Sequence, residues 1–314
     1  MNIIMTGSTS FVGAATVREL LRRGHTVTAI VRPKSSKLDT ILEGNEEALL
    51  SGRLLVTEND LSEPEKLLEK VTKPQEVFCH FGWGGSGSVS RTDKALQEKN
   101  MEISLETIRT AKALGCKKFL FSGSQAEYGM HQDLITENTV CEPKSLYGEA
   151  KLAMREKGEK LCDELGLRYI HARIFSAYGP GDHPWTLVES CLDTFLSNKE
   201  MSLGACTQKW NFLYIDDLAR GMAALCEAPE SAFEGLKNPV FNFGGAETKV
   251  LKEFVEEIHE LCGGQGESQY NTRGEGLINL MPSIEKLETV TGWKPEVDFK
   301  TGITRMIALR KRTI

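Results

Sequence analysis

The sequence predicts an α/β protein built on a doubly wound, parallel sheet. Short apolar segments alternate with helical segments through the first half of the 314-residue chain, which is typical of parallel strands joined by crossover helices. A turn rich in glycine and serine joins the first strand to the first helix. No internal repeat or low-complexity linker interrupts the alternation, and the chain is long enough for one large domain or two.

The first strand and helix enclose a glycine motif. Residues 2–6 are predicted as a buried strand, and G-S-T-S-F-V-G follows from Gly7 to Gly13 before a helical pattern at 14–23. In this context the motif predicts a dinucleotide-binding Rossmann fold, because glycines permit the tight turn and the helix start offers N–H groups to a pyrophosphate. Ser10 stands where the motif has its middle glycine. The expected cofactor contacts are Gly7, Ser10, Phe11, Val12 and Gly13.

The second predicted strand, residues 25–31, ends in a basic loop. Folds that prefer NAD usually place an acid at this strand's end, where it binds the adenosine ribose. Here R-P-K-S-S-K follows instead. Its cations and hydroxyls suit the 2′-phosphate of NADP, with Arg32, Lys34 and Ser36 as candidate ligands. NAD is the alternative cofactor, and a solvated basic loop is the alternative interpretation.

Two further strands end in candidate cofactor contacts. Residues 53–57 lead to Asp60 and Leu61, where the carboxylate is expected at the adenine edge. Residues 76–81 run into a glycine-rich loop at 82–87, and such a loop at the carboxyl end of a strand lies where open parallel sheets bind ligands. His80 has apolar neighbours, which favours a core histidine over a base.

A tyrosine and a lysine four residues apart form the candidate catalytic pair. The strand at 117–121 ends near Ser124, and the helical segment after it carries Tyr147 and Lys151. Residues four apart lie on one face of a helix. A fixed ammonium lowers the pKa of a neighbouring phenol, so this pair can exchange a proton with a substrate hydroxyl.

Composition excludes several classes of function. The net charge of −6 gives no basic surface for nucleic acid, and no apolar run approaches the ~20 residues of a membrane span. The eight cysteines contain no C-x-x-C pair, which favours free thiols over disulfides or zinc and predicts no metal site. The start lacks the features of a signal peptide, and we expect a cytoplasmic protein.

Several ordered motifs resemble the extended short-chain dehydrogenase/reductase superfamily, and most closely its NAD(P)-dependent epimerase/dehydratase branch, which works largely on nucleotide sugars. They are F-S-G-S-Q-A-E-Y-G at 121–129, P-K-S-L-Y at 143–147, R-x-x-x-x-Y-G-P-G at 173–181, Y-I-D-D-L-A at 214–219, N-F-G-G at 242–245 and G-W-K-P at 292–295.

The resemblance implies residue roles. Tyr147 is the acid/base, Lys151 holds the nicotinamide ribose and lowers the tyrosine pKa, and Ser124 hydrogen-bonds the reacting oxygen. Further dinucleotide contacts are expected at Phe81, Gly82, Asn100, Phe175 and Ser176.

The resemblance also implies an architecture. Residues 1–175 with about 212–243 form the NAD(P)-binding domain, and residues 176–211 with 244–314 form a smaller, mainly C-terminal, substrate-binding domain. Family members are usually homodimers that pair the helices at about 92–114 and 145–165.

Departures from the family pattern limit the subclass and the substrate site. Gln125 and Ala126 replace the acidic pair of the 4,6-dehydratases, which argues against dehydration. His183 lies where a second acid could act. The candidate substrate contacts are Trp83, Ser124, Gln125, Ser176, His183, Lys209, Trp210 and Arg273.

The leading prediction is an NADPH-dependent reductase of a 4-keto nucleotide sugar, with Arg32 and Lys34 favouring NADPH. The first alternative is a nucleotide-sugar 4-epimerase with bound NAD, in which the same residues oxidise the sugar and then reduce its other face. A reductase of a non-sugar carbonyl and a cofactor-binding regulator without catalysis are the remaining alternatives.

Overall fold

The computed structural model describes residues 1–85, 90–236, 238–264, 266–271 and 278–313. Its central feature is a seven-stranded sheet in which all neighbouring strands are parallel. In spatial order the strands are β10 (Val240–Phe243), β6 (Arg168–Ile174), β5 (Lys118–Ser124), β4 (Val77–His80), β1 (Asn2–Thr6), β2 (Thr26–Val31) and β3 (Leu54–Glu58). The order reverses at β1, which confirms the predicted doubly wound sheet and defines its topological switch point.

Helices cover both faces of this sheet. They are α1 (Phe11–Arg22), α2 (Asp39–Leu42), α3 (Glu46–Leu50), α4 (Leu67–Lys70), α5 (Lys94–Ala113), α6 (Leu146–Leu165), α7 (Leu187–Leu196), α8 (Ile215–Glu227), α9 (Leu251–Leu261), α10 (Glu285–Thr291) and α11 (Phe299–Thr313). Because side chains alternate along a strand, Ile3 and Met5 enter the core under α1 and α8, whereas Ile4 enters the core under α5 and α6.

The turn between β1 and α1 is tight enough to require glycine. Gly7 has a φ of +70°, and a Cβ there would lie 2.6 Å from the carbonyl carbon of Phe81. A Cβ on Gly13 would lie 2.0 Å from the carbonyl oxygen of Gly7. The Ser10 side chain accepts the Gly13 N–H at 3.1 Å, so the serine at the middle-glycine position caps the helix.

Two smaller sheets lie outside the central one. β11 (Thr248–Val250), β9 (Lys209–Tyr214) and β7 (Ser176–Tyr178) form the first, and β12 (Ser268–Tyr270) pairs with β8 (Met201–Leu203) in the second. The chain leaves the central sheet after β6 and rejoins it at β10. We therefore propose the domain division expected from the sequence, with β9 crossing its boundary at residue 212.

Within the described ranges, no helix has the length and apolar content needed to cross a membrane. The eight cysteines all carry free thiols. The same ranges contain no cluster of three or more histidine, cysteine or acidic side chains that could hold a metal ion.

Candidate active site

The larger of two adjoining cavities opens at the carboxyl edge of the central sheet, around the ends of β1, β2 and β4. Its volume is about 1060 Å³, and it lies where a doubly wound sheet binds its ligand. Gly7 lines this cavity beside the N-terminus of α1, and Gly13 lies behind it, packed against the carbonyl oxygen of Gly7. This cradle fits the pyrophosphate of a dinucleotide. Predicted cofactor residues that line it are Gly7, Ser10, Phe11, Arg32, Ser36, Leu61, Phe81 and Gly82.

The other predicted cofactor residues lie outside this lining: Val12, Gly13, Lys34, Asp60, Asn100, Tyr147, Lys151, Phe175 and Ser176. Asn100 clamps the backbone of the glycine-rich loop: its Nδ2 donates to the Gly84 carbonyl at 2.7 Å, and its Oδ1 accepts the Gly84 N–H at 3.0 Å. The Asp60 carboxylate accepts hydrogen bonds from the N–H and the hydroxyl of Ser62, so its hydrogen bonds lie within the turn that it begins.

The loop after β2 brings charges of both signs to the cavity. Arg32, Ser36 and Lys37 line it, and so do the carboxylate residues Asp39 and Glu43 on and just after α2. The basic segment therefore reaches the cavity as the sequence predicts, but acidic residues that the sequence analysis had not considered share the same wall.

The predicted catalytic residues Ser124, Tyr147 and Lys151 meet where β5 ends against α6. Ser145 caps α6 by accepting the Gly148 N–H at 3.1 Å. Tyr147 and Lys151 occupy the same face of the helix, and the hydroxyl of Ser124 hydrogen-bonds the phenol. Lys151 Nζ donates to the carbonyl of Ser122 at 2.7 Å.

The positive charge that lowers the pKa of Tyr147 is not the one that the sequence predicts. Burial raises the pKa of the phenol, while the hydrogen bond from Ser124 and the charge of Arg91 lower it. The guanidinium carbon of Arg91 lies 4.7 Å from the ring centroid. Lys151 Nζ lies 5.8 Å from that centroid and is directed to the Ser122 carbonyl. The lowering that the sequence assigned to Lys151 therefore comes from Ser124 and Arg91.

Lys151 is surrounded by aromatic rings. Its Nζ lies 4.0 Å from the ring centroid of Trp83 and 4.5 Å from that of Phe121, a geometry that stabilises a cation over a ring face. Burial lowers the pKa of Lys151 to about 7, opposed by the carboxylate of Glu127. Trp83, which is expected to bind substrate, lines the larger cavity, and its ring also packs against the Lys151 ammonium.

His80 is the core histidine that its apolar neighbours predict. Its Nδ1 is 2.7 Å from the Thr6 hydroxyl and its Nε2 is 3.0 Å from the Ser104 hydroxyl. Burial lowers the pKa of His80 to about 3, so the ring is neutral at ordinary pH.

A second cavity, of about 500 Å³, adjoins the first, since Phe11 and Asp182 line both. Three predicted ligand-contact residues, Phe175, Ser176 and Trp210, lie on its wall. The rest of that wall includes the aromatic residues Tyr178, Trp185 and Phe212, the cation Arg91 and the carboxylate residue Asp182.

The remaining predicted substrate residues fall at different places. His183 lines the first cavity and stacks on Trp185, with ring centroids 4.4 Å apart. Gln125 and Lys209 lie outside the linings of both cavities. Arg273 lies outside the described residues.

Sequence reasoning missed Arg91, Asp182 and Trp185 as cavity residues. Arg91 lies two residues before Asp93, the N-cap of α5. Its position just after the glycine-rich loop could have indicated that it lies near the cavity. Asp182 accepts the His183 N–H at 2.7 Å and the Thr186 hydroxyl at 3.0 Å, a local contact that no motif predicts.

The chain belongs to the NAD dependent epimerase/dehydratase family, whose model matches residues 3–244. It is 26% identical to an uncharacterized UDP-glucose epimerase of Bacillus subtilis, over 98% of this chain and 97% of the relative. It is 24% identical to a probable UDP-glucuronate 4-epimerase of Rhizobium meliloti, over 98% of this chain and 96% of the relative.

Solved structures share the fold across the whole chain. The UDP-glucose 4-epimerase of Thermotoga maritima, solved with UDP-glucose, is 24% identical with a TM-score of 0.84, covering 100% of this chain and 99% of that one. The UDP-glucuronic acid 4-epimerase of Bacillus cereus, solved in complex with NAD, is 22% identical with a TM-score of 0.80, covering 99% and 97%. At these identities the likeness describes the fold alone.

Proposed function

We propose that this protein is a nucleotide-sugar 4-epimerase that acts on a UDP-sugar with bound NAD. The observation that carries the proposal is the meeting of Ser124, Tyr147 and Lys151 behind Trp83, whose ring contacts both Tyr147 and Lys151 and lines a dinucleotide-sized cavity. The names of the relatives, UDP-glucose and UDP-glucuronate epimerases, support the epimerase over the reductase that the sequence placed first.

The second cavity suits the sugar. Its aromatic side chains offer stacking faces for a base or a sugar ring. Arg91 lines this cavity and also lies over the ring of Tyr147. A cation at this junction suits an anionic part of the substrate. Aromatic walls hold a ring by its faces while imposing few fixed hydrogen bonds, which would allow a keto sugar to turn between the two half-reactions.

The bound dinucleotide supplies a reversible hydride acceptor. As the phenolate, Tyr147 accepts the proton of the sugar's 4-hydroxyl in the first half-reaction and returns that proton to the oxygen in the second. Ser124 hydrogen-bonds the same oxygen and thereby orients it. Lys151, in its ammonium form, places a positive charge 5.8 Å from the centroid of the Tyr147 ring. One tyrosine serves both directions, because the proton that it gains is the proton that it gives back.

The second candidate is the NADPH-dependent reductase of a 4-keto nucleotide sugar. Arg32, Ser36 and Lys37 on the wall of the larger cavity favour it, since their cations and hydroxyls suit a 2′-phosphate. Asp39 and Glu43 on the same wall would repel that phosphate, which reduces the support.

The cofactor distinguishes the two candidates. The purified protein is denatured, any released dinucleotide is identified by mass spectrometry, and NAD, NADH and NADPH are then titrated separately. Retained NAD with weak NADPH binding supports the epimerase. An empty site with a clear preference for NADPH would contradict the epimerase and favour the reductase. The homodimer stays a prediction that light scattering would test.

A further inference from the structure

Directly behind Ser124 lies a polar cluster with no counterpart in the proposed mechanism. Its members are Glu127, His171, Arg173 and Tyr169, and Glu127 and His171 are completely buried. Burying a carboxylate costs free energy unless it is paired and hydrogen-bonded, so the position of this cluster behind Ser124 needs a physical explanation. Its contacts lead to the candidate catalytic residues.

Ser124 and Glu127 hold each other across one short turn. The Ser124 N–H donates to Glu127 Oε1 at 2.7 Å, and Ser124 Oγ accepts the N–H of Ala126 at 3.2 Å. This reciprocal arrangement is a capping box. It fixes the backbone of Ser124 at the point where its hydroxyl must meet the Tyr147 phenol.

Glu127 is in turn fixed by the neighbouring strand. His171 Nε2 lies 2.9 and 3.0 Å from the two carboxylate oxygens, and Arg173 Nε donates to Oε2 at 2.7 Å. Burial lowers the pKa of His171, which makes the neutral ring an N–H donor at Nε2 and an acceptor at Nδ1, where the Tyr169 hydroxyl lies 3.0 Å away. Although burial alone would raise it, these partners lower the pKa of Glu127 to about 2.

The same carboxylate acts on Lys151. The ionisable groups of the described residues that interact with Lys151 are His80 from β4, His171 from β6 and Glu127. Both histidines are neutral at ordinary pH, and Glu127 carries the negative charge that favours the ammonium. Tyr147 is influenced by Glu127, Ser124 and Arg91.

From this geometry we propose that Glu127 is a positioning residue for the catalytic cluster. It fixes Ser124 through the backbone N–H and supplies a buried negative charge that favours the ammonium form of Lys151. The inference rests on the proposed function for its catalytic consequence, but its effect on Lys151 exists without a substrate.

Glu127→Gln removes the charge while keeping one acceptor, and Glu137→Gln is the matched control. Glu137 is similarly buried and accepts the Asn242 N–H at 3.0 Å, but its carboxylate acts on neither Lys151 nor Tyr147. Glu127→Asp keeps the charge and withdraws the carboxylate from the Ser124 N–H, so it separates positioning from charge.

The first readout is the titration of Lys151, followed by NMR of ¹³C-labelled lysine and assigned with Lys151→Met. We expect Glu127→Gln to lower the pKa of Lys151 by at least about one unit and Glu137→Gln to leave it unchanged. Equal titration in both variants would overturn the charge role, whether or not the protein is an epimerase. If Glu127→Gln does not fold, Glu127→Asp and the kinetics below decide.

The second readout is the pH dependence of turnover with UDP-glucose. We expect Glu127→Gln to lower kcat about 10- to 100-fold with KM little changed and to move the limb that reports Lys151 to lower pH. Glu127→Asp should lower kcat with the limb in place. A kcat in Glu127→Asp equal to that of the wild type would overturn the positioning role. An inactive wild type with a shifted Lys151 titration would instead contradict the proposed function.

Discussion

Tyr147 is held between a hydrogen bond from Ser124 and the guanidinium of Arg91. Both partners favour the phenolate, whereas burial opposes it. The balance leaves a raised pKa, so in the unliganded protein the residue is a phenol, ready to donate a proton. To act as a base it must lose that proton, and the charges around its ring control that step.

Tyr147→Phe removes the proton donor while retaining the ring. We expect turnover of a UDP-sugar to fall by about 100- to 10,000-fold, with dinucleotide affinity little changed because the ring still packs against Trp83. Initial rates and dinucleotide titration measure the two effects. Tyr270→Phe, in β12, is the control, and equal rates in the two variants would exclude Tyr147 as the acid/base.

Arg91→Gln removes the cation that lowers the pKa of Tyr147. With that charge gone the phenol pKa rises further, so the base form is reached only at higher pH. We expect the limb of the pH–rate profile that reports Tyr147 to move to higher pH. Arg109→Gln, which removes an exposed cation of α5 paired with Glu106, should leave the profile in place. An unmoved limb in Arg91→Gln would contradict the role given to Arg91.

At the scale of elements, the turn from β1 into α1 sets the dinucleotide site. Gly7→Ala and Gly24→Ala form a matched pair, since Gly7 has φ +70° and Gly24 has φ +84°. A Cβ on Gly24 meets nothing within 4 Å, whereas one on Gly7 meets backbone atoms of Phe81 and Gly82.

Both substitutions carry the backbone cost of a left-handed alanine, about 1–2 kcal/mol in the free energy of unfolding. We expect Gly24→Ala to show that loss with normal dinucleotide affinity. Gly7→Ala should lose dinucleotide binding as well, because β4 must move away from β1. Calorimetric titration checks this, and normal affinity in Gly7→Ala would place the dinucleotide elsewhere.

The contact between β5 and β6 is pH-sensitive through Glu127. Its pKa is lowered from 4.5 to about 2 in the folded protein, so the folded state binds fewer protons than the unfolded state in this interval. Its stabilising effect is therefore complete above about pH 4.5 and is lost as the pH falls toward 2. We expect the stability difference between wild type and Glu127→Gln, from urea unfolding, to shrink across this interval. A constant difference would contradict the lowered pKa.

At the scale of the whole molecule, the sequence predicted what depends on local pattern. Strand–helix alternation predicted the parallel sheet, and the glycine motif predicted the turn at Gly7. The four-residue spacing placed Tyr147 and Lys151 on one helix face. These features depend on backbone geometry and helical periodicity, which short segments specify.

Contacts between distant segments were not predictable in this way. The Glu127 cluster joins residues 44 and 46 positions apart, and it requires the register between β5 and β6. Arg91 reaches Tyr147 from the segment preceding α5, and no local pattern predicts that approach. The choice between reductase and epimerase also depended on more than the basic loop, since Asp39 and Glu43 lie beside it.

The stereochemical outcome of the reaction distinguishes a nucleotide-sugar 4-epimerase from a reductase. The purified protein is incubated with UDP-glucose or UDP-glucuronic acid and NAD, and the sugar is followed by proton NMR together with the absorbance of the reduced nicotinamide. We expect the 4-epimer to accumulate to a constant ratio without net change in reduced cofactor. No interconversion of epimers, with stoichiometric consumption of NADPH in a parallel reaction given a 4-keto nucleotide sugar, would contradict the proposed epimerase.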